Sequence, residues 1–333
     1  MPASTDPHFG LEWFSLLAKT AQPEGARLAL YPCSAEKSWE AFCPLMSLPE
    51  TKGQLFGLAN FYTPLFALVG EELADDRALK RLAEQLRTKP NAFYEVRFSP
   101  MDPESRSFAL LKGGFNAGGW LVGEYFCFGN WYHRVEGSSY ASYLASRPSR
   151  LRNTIQRSEK KLEKMPGYSL TITRSFENLE AAIADFVTVY NRSWKRPEPY
   201  PNFIPGLCQL AAEKSWLRLG IVKINQIPVA AQLWLVAHGK AHIVKLAYDK
   251  AFIKTSAGTV LSAALFRHVL DVDRVEEIDY LMGDDPYKKE WMSQRRERSG
   301  LIAFNPCFAK GLFGAFWHHG GKLKRRLFGK PGQ

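Results

Sequence analysis

Between Gly283 and Met292 the chain reads GDDPYKKEWM, following the apolar-acidic run EEIDYLM and preceding SQRRERSG. Carboxylates take protons, a phenol gives one up, and an ammonium neutralises acids or holds an anion. Asp279, Asp284, Asp285, Tyr287 and Lys288 therefore carry the parts of an acid–base site. A plainer reading competes with it. Asp285-Pro286 is an ordinary helix start, because Asp caps free N–H groups and Pro accepts the first helical position. Capping accounts for one acid and leaves the others crowded at a strand end.

The elements that must position this stretch are legible around it. YSLTIT (168–173) is a predicted strand, and SFENLEAAIADFVTVYNRSW (175–194) a predicted helix with Leu179, Ile183, Phe186, Val187 and Tyr190 on one face. RPEPYP (196–201) breaks that helix, and FIPGLCQLAAEKS begins another. LRLGIVKI, IPVAAQLWLVAHG and KAHIVKLAYD read as three successive strands, with NQ and GK as hairpin turns. A helix over 256–271, the strand EEIDYLM, a helix over PYKKEWMSQRRER and the strand LIAFNP complete the order β-α-α-β-β-β-α-β-α-β. The first half shows nearly the same order. ARLALY is a strand, SAEKSWEAF a helix, GQLFGLAN and TPLFALV strands, and EELADDRALKRLAEQLR an amphipathic helix. NAFYEVRF, the helix PESRSFALLKGGF and the long strand WLVGEYFCFGNWYHRV follow. The fold class is α/β, in two similar modules.

Composition sets the outer bounds. A length of 333 residues with 46% hydrophobic content supports two globular domains rather than a disordered chain. Five widely spaced cysteines without a C-x-x-C or Cys/His pattern read as reduced thiols of a cytoplasmic protein, with no metal site. The N-terminus lacks the basic and apolar regions of a signal peptide, and no run approaches the ~18 apolar residues that cross a bilayer. The net charge of +11 is clustered in SRPSRLRNTIQRSEKKLEK (146–164) and GKLKRRLFGK (321–330), which suggests anionic partners.

The stretches SYLASRPSRLRNTIQRSEKKLEK, SWKRPEPYPNF, AAQLWLV, IVKLAYDKAF, TSAGTVLSAAL and IDYLMGDDPYKKEWMSQRRERSGLIAFNP resemble bacterial GNAT-family N-acetyltransferases with a Fem/CelD-like domain. That resemblance implies tandem GNAT-like modules, each a mixed central sheet flanked by helices. It divides the chain into a degenerate N-terminal module (1–139), a basic joining helix (140–166), a C-terminal acyltransferase module (167–310) and a basic Gly/aromatic tail (311–333). It also implies a donor pyrophosphate at the helix start after the fourth strand, where unpaired amides favour an anion. Here that start is Lys254, Thr255, Ser256, Ala257, Gly258 and Thr259; of the family's R/Q-x-x-G-x-G/A loop it keeps the single Gly258. The equivalent start in the first half, VGEELADD, is acidic and would repel phosphate.

The same resemblance implies acyl transfer to an amine. Backbone amides near Lys245 to Ala247 would polarise the carbonyl, Tyr287 would protonate the leaving group, and Asp279 or Asp285 would take the amine's proton. Trp194, Lys195, Arg196 and Glu198 are candidate acceptor contacts, as are Gln232, Trp234 and Tyr248; Lys288 would bind substrate or neutralise the acids. Two donors stay open, neither tightly bound: an acyl-CoA or acyl-carrier-protein thioester, and aminoacyl-tRNA. Seven Lys/Arg between 147 and 164, offset by Glu159 and Glu163, serve either one. A third class is a non-catalytic binder of anionic membrane through the aromatic and basic tail, which could equally bring an enzyme near lipid.

Overall fold

The computed structural model describes residues 7–34, 40–88 and 92–328, and side chains within these except at Phe9 and 321–328. The chain clusters into two units, 1–128 with 297–333, and 129–296. It opens with α1 (Leu11–Thr20), β1 (Arg27–Pro32), β2 (Phe42–Ser47), β3 (Gln54–Gly57), α2 (Asp76–Arg87), β4 (Glu95–Met101) and α3 (Arg106–Ala117). A long strand, β5 (Leu121–Arg134), carries it into the second unit. There follow α4 (Tyr140–Ala145), α5 (Ser149–Glu163), β6 (Ser169–Thr173), α6 (Leu179–Arg192), α7 (Phe203–Glu213), β7 (Leu217–Ile224), β8 (Ile227–Ala237) and β9 (Lys240–Tyr248). Then come α8 (Ala257–Arg267), β10 (Glu277–Asp279) and α9 (Lys288–Trp291). The chain returns to the first unit within β11 (Gln294–Phe304) and ends in α10 (Ala309–Phe328).

Each unit is a mixed sheet with helices packed on it. The first orders its strands β1-β2-β3-β4-β11, with β3 and β4 parallel. The second orders them β5-β10-β9-β8-β7-β6, with β10 and β9 parallel. In the second unit Phe266 stacks on Trp291 (4.9 Å) and on Tyr143 (5.0 Å), which ties α8, α9 and α4 together. Helix α5 buries Leu151, Ile155, Ser158 and Leu162 at helical spacing and packs on α8. Its remaining positions carry the basic residues, so the cluster is the outer face of a helix anchored next to α8.

Several predicted elements differ. PYKKEWMSQRRER holds only the single turn α9, and its second part is the start of β11. Helix propensity favours QRRER, but burial along β11 alternates, and Arg296 and Arg298 each find a carboxylate through that alternation. TPLFALV is buried but not a ladder strand. Phe66 N donates to Pro100 O, Leu68 N to Ser107 Oγ, and Val69 pairs with Phe42 alone. Helix α1 and strand β2 were not expected. Residues 35–39 of the predicted helix SAEKSWEAF lie outside the described residues. The second hairpin turns at His238-Gly239 rather than GK, both with positive φ. In the tail, α10 runs on through its glycines and leaves Leu312, Phe313, Phe316 and Trp317 exposed. Among the described residues no helix is long and apolar enough to cross a membrane, and no cluster of three or more His, Cys, Asp or Glu could hold a metal.

Candidate active site

The second unit contains a cavity of about 470 Å³. Its floor is the end of β9, its far wall the start of α8, and its rim comes from α5, the 194 loop and the turn that carries Tyr287. Two irregularities open it. Strand β10 pairs with β9 only from Glu277↔Lys240 to Asp279↔His242, so β9 continues past His242 without β10 beside it. A bulge places Ile243 opposite Trp234 and Lys245 opposite Leu233, with Val244 extra. Asp249 N donates to Val229 O at 2.8 Å. Antiparallel alternation therefore turns the Leu246 amide away from β8, toward the gap left by β10. Leu246, Ala247 and Tyr248 all line the cavity.

At the far wall, Ser256 adopts the left-handed conformation (φ 56°) and α8 begins with no acid in its first turn. First-turn amides lack intrahelical carbonyls, so the end carries partial positive charge. Ser256, Ala257, Gly258 and Thr259 line the cavity, as predicted residues of the donor loop. Thr255 and Lys254 do not. Thr255 is buried, donating to Phe252 O and accepting from Ala257 N, which makes it an internal brace. Lys254 is exposed, and its carbonyl accepts from Lys161 Nζ of α5 (3.1 Å).

The crowd around GDDPYKKEWM resolves into a scaffold and one cavity residue. Asp279 accepts from Asn130 Nδ2 (2.6 Å), Leu281 N (2.6 Å) and the Arg296 guanidinium. Arg296 also binds Glu277 Oε1 (2.8 Å) and Asn130 Oδ1 (2.6 Å). A buried carboxylate held by three donors is a fixed part of the scaffold and has no room to act as a mobile base. Asp284 is bound by Trp131 Nε1 (2.6 Å) and Arg295 Nη2 (2.7 Å); the Arg295 hydrogen bond holds its carboxyl below the usual range. Lys288 is buried, and its Nζ donates to the Met282 and Gly283 carbonyls and pairs with Asp285 at 3.3 Å. Burial pulls Lys288 below the ordinary lysine range, against the opposing pull of Asp285. Asp285 is exposed and pairs with Lys288, while α9 takes Tyr287 as its N-cap with no side-chain cap bond. Together these contacts fix the turn from Tyr280 to Lys288. Tyr287 alone of the predicted catalytic side chains reaches the cavity. Its ring stands edge-on to Tyr280 at 5.8 Å, and burial, reinforced by Asp285, raises its phenol pKa.

Of the other candidates, Gln232, Tyr248 and Trp194 line the cavity. Gln232 Nε2 binds Ser262 Oγ (2.7 Å) and Gly258 O (3.1 Å), and so holds α8 against the sheet. Trp234 is fully buried core, donating to Gln232 Oε1 at 2.9 Å. Trp194 lies against Tyr248 at 4.4 Å. Lys245 points away from the cavity and pairs with Glu198 at 2.7 Å; Arg196 is exposed, away from the cavity lining. Sequence reasoning missed Tyr280, Glu290 and Trp291, and Arg150, Leu151 and Thr154 from α5. Only Arg150 had a signal, as part of the basic cluster.

Residues 149–289 match the family described as the acetyltransferase (GNAT) domain. No curated protein sequence matches the chain. Among solved structures, FemX is 11% identical with a TM-score of 0.61, covering 93% of this chain and 94% of its own. L-PGS from Bacillus licheniformis is 12% identical with a TM-score of 0.54, covering 96% and 97%. A C-terminal domain assigned to a lysylphosphatidylglycerol synthetase from Agrobacterium fabrum is 12% identical with a TM-score of 0.54, covering 86% of each chain. At these identities the likeness is one of fold. Residues 149–289 thus form a GNAT acetyltransferase-type domain that supplies most of the cavity lining, and the chain shares the fold of FemX.

Proposed function

We propose that the second unit is an N-acyltransferase that takes a thioester donor, acyl-CoA or an acyl carrier protein, in the cavity and passes its acyl group to an amine. The observation that carries this reading is the meeting of an acid-free helix start and an unpaired stretch of β9 in one cavity. The donor's phosphates sit at Ser256–Thr259, where amides and dipole favour anions. The carbonyl lies against the Leu246 amide, which stabilises the oxygen as it gains charge. The amine nitrogen bonds to the acyl carbon and the C–S bond breaks. Tyr287 supplies the proton to the departing thiolate; its raised pKa keeps the phenol protonated at neutral pH. Glu290 is the carboxylate among the lining residues and takes the amine's proton, directly or through water.

A second reading has aminoacyl-tRNA as donor. Its support is that basic α5 packs on α8 and contributes Arg150 to the cavity, and that the fold is shared with proteins named FemX and lysylphosphatidylglycerol synthetase. Native mass spectrometry with thermal-shift measurements against coenzyme A, acetyl-coenzyme A and charged tRNA separates the two. Stabilisation by coenzyme A and its thioester is expected. Stabilisation by charged tRNA alone would overturn the thioester donor.

A further inference from the structure

Lys195 sits beside the cavity, on the side of β9 that faces away from it. Its Nζ lies 5.7 Å from the ring centroid of Tyr190 and 5.7 Å from that of Trp194, which is itself a cavity wall. Lys245 Nζ lies over the same Tyr190 ring at 5.5 Å. Strand alternation puts Lys245 on the opposite face from Leu246, and its ammonium pairs with Glu198 Oε1 at 2.7 Å. Glu198 also accepts from the Tyr190 hydroxyl, so that carboxylate is already shared. The other charges that Lys195 faces are Lys288 and Asp285, and these pair with each other at 3.3 Å. Lys195, Lys245 and Lys288 against Glu198 and Asp285 leave this group with one excess positive charge. Glu198 also acts on Lys195, but that carboxylate is shared with Lys245 and Tyr190.

An enclosed ammonium in a cluster with excess positive charge is costly, and the cost is relieved by losing the proton or by gaining an anion. Burial, and then the neighbouring Lys245, pull the Lys195 pKa down to about 8, so at neutral pH the group is still mainly charged. The rings of Tyr190 and Trp194 flank it. One uncompensated charge matches a monoanion, whereas a phosphate dianion would leave the site with excess negative charge.

We propose that Lys195, with Lys245 beside it, receives a carboxylate of the amine acceptor, so that the acceptor is an amino acid or another amine bearing a carboxylic acid. This rests on the reading of the second unit as an N-acyltransferase. The carboxylate binds on one side of β9 while the donor lies on the other, and the gap beside β9 lets the amine reach the acyl carbon. Binding requires the protonated lysine, so acceptor affinity falls as pH rises through about 8.

The test labels lysines of the full-length protein with trace acetic anhydride at a series of pH values and reads each site by mass spectrometry. The probes are glycine, L-alanine, L-lysine and L-glutamate, each beside its α-carboxamide, and inorganic phosphate. At least one amino acid should slow labelling of Lys195 threefold or more at pH 7.5, with its carboxamide giving no protection and the effect fading above pH 8.5. A thermal shift induced by the same amino acid should persist in Lys195→Arg and vanish in Lys195→Gln. Equal protection by carboxamides, protection by phosphate only, or none from any amino acid at its highest soluble concentration would overturn the proposal. Protection by an amino acid in a protein that no thioester donor stabilises would leave the subsite standing and sink the donor reading instead.

Discussion

The helix starts of the two units solve the same electrostatic problem in opposite ways. In the first unit, Asp75 Oδ1 accepts from Ala78 N and caps α2, and Glu71 Oε2 accepts from both Ser107 N (2.9 Å) and Ser107 Oγ (2.5 Å) at the start of α3. The protein's own carboxylates fill the positions an anion would occupy. In the second unit α8 has no acid in its first turn, and its first residues face a cavity. One start is closed by the chain's own side chains, and the other is available to a ligand. Two units of similar element order can therefore differ in chemistry through a handful of side chains at helix termini.

The largest expected effect comes from making the open start resemble the closed one. A Cβ at Gly258 would lie 3.4 Å from Tyr248 Cδ1, an ordinary contact, so a side chain can be introduced without expelling a neighbour. Gly258→Glu sets a carboxylate where the donor's phosphates belong and should raise the donor KM roughly a hundredfold, about 2.7 kcal/mol. Gly258→Ala is the control for bulk and should stay within a few-fold. Steady-state kinetics or calorimetric titration with the donor reads both. Equal losses in the two variants would show that space, and not charge, makes this start a binding site.

A smaller effect should follow at the cavity's catalytic edge. Tyr287→Phe removes the proposed proton donor and keeps the ring against Tyr280. The expected loss is roughly a hundredfold in kcat, with donor KM unchanged, at the lower end of what a positioned acid contributes. Unchanged single-turnover rates would remove Tyr287 from the mechanism and leave it as a packing residue of the rim.

Much of this was legible beforehand, and the misses share a cause. The strands β7, β8 and β9 show in apolar runs with turn residues between them, and a loop of small residues ahead of a helix marks Ser256–Thr259. What stayed hidden is non-local. Arg150 and Thr154 reach the cavity because α5 packs on α8, about a hundred residues away in sequence, and no periodicity announces such a contact. Asp279 reads as a catalytic base until Asn130 and Arg296 are seen to hold it. The start of β11 reads as a helix because local propensity says nothing about partners such as Asp279 and Asp102, which each reward a strand. A charged cluster on a strand end has two uses, chemistry and scaffolding, and only the partners decide between them.

The smallest expected effect tests the closed start. Glu71 is half-buried, and its carboxylate serves a Ser107 that is fully buried and whose hydroxyl also accepts from Leu68 N (2.9 Å). Arg106 reinforces the same junction through the Glu71 and Ala74 carbonyls. Glu71→Gln keeps the shape and one acceptor oxygen but gives up the charge. Its cost should be about 1–2 kcal/mol in unfolding free energy, the usual worth of a charge-assisted hydrogen bond. Donor KM should stay within twofold of the parent, since this carboxylate serves the fold. Chemical denaturation and donor titration on the same preparation measure the two quantities together. A change in donor affinity as large as that in Gly258→Glu, at unaltered stability, would mean that the acidic start of the first unit also meets the donor, and the contrast between the two helix starts would no longer hold.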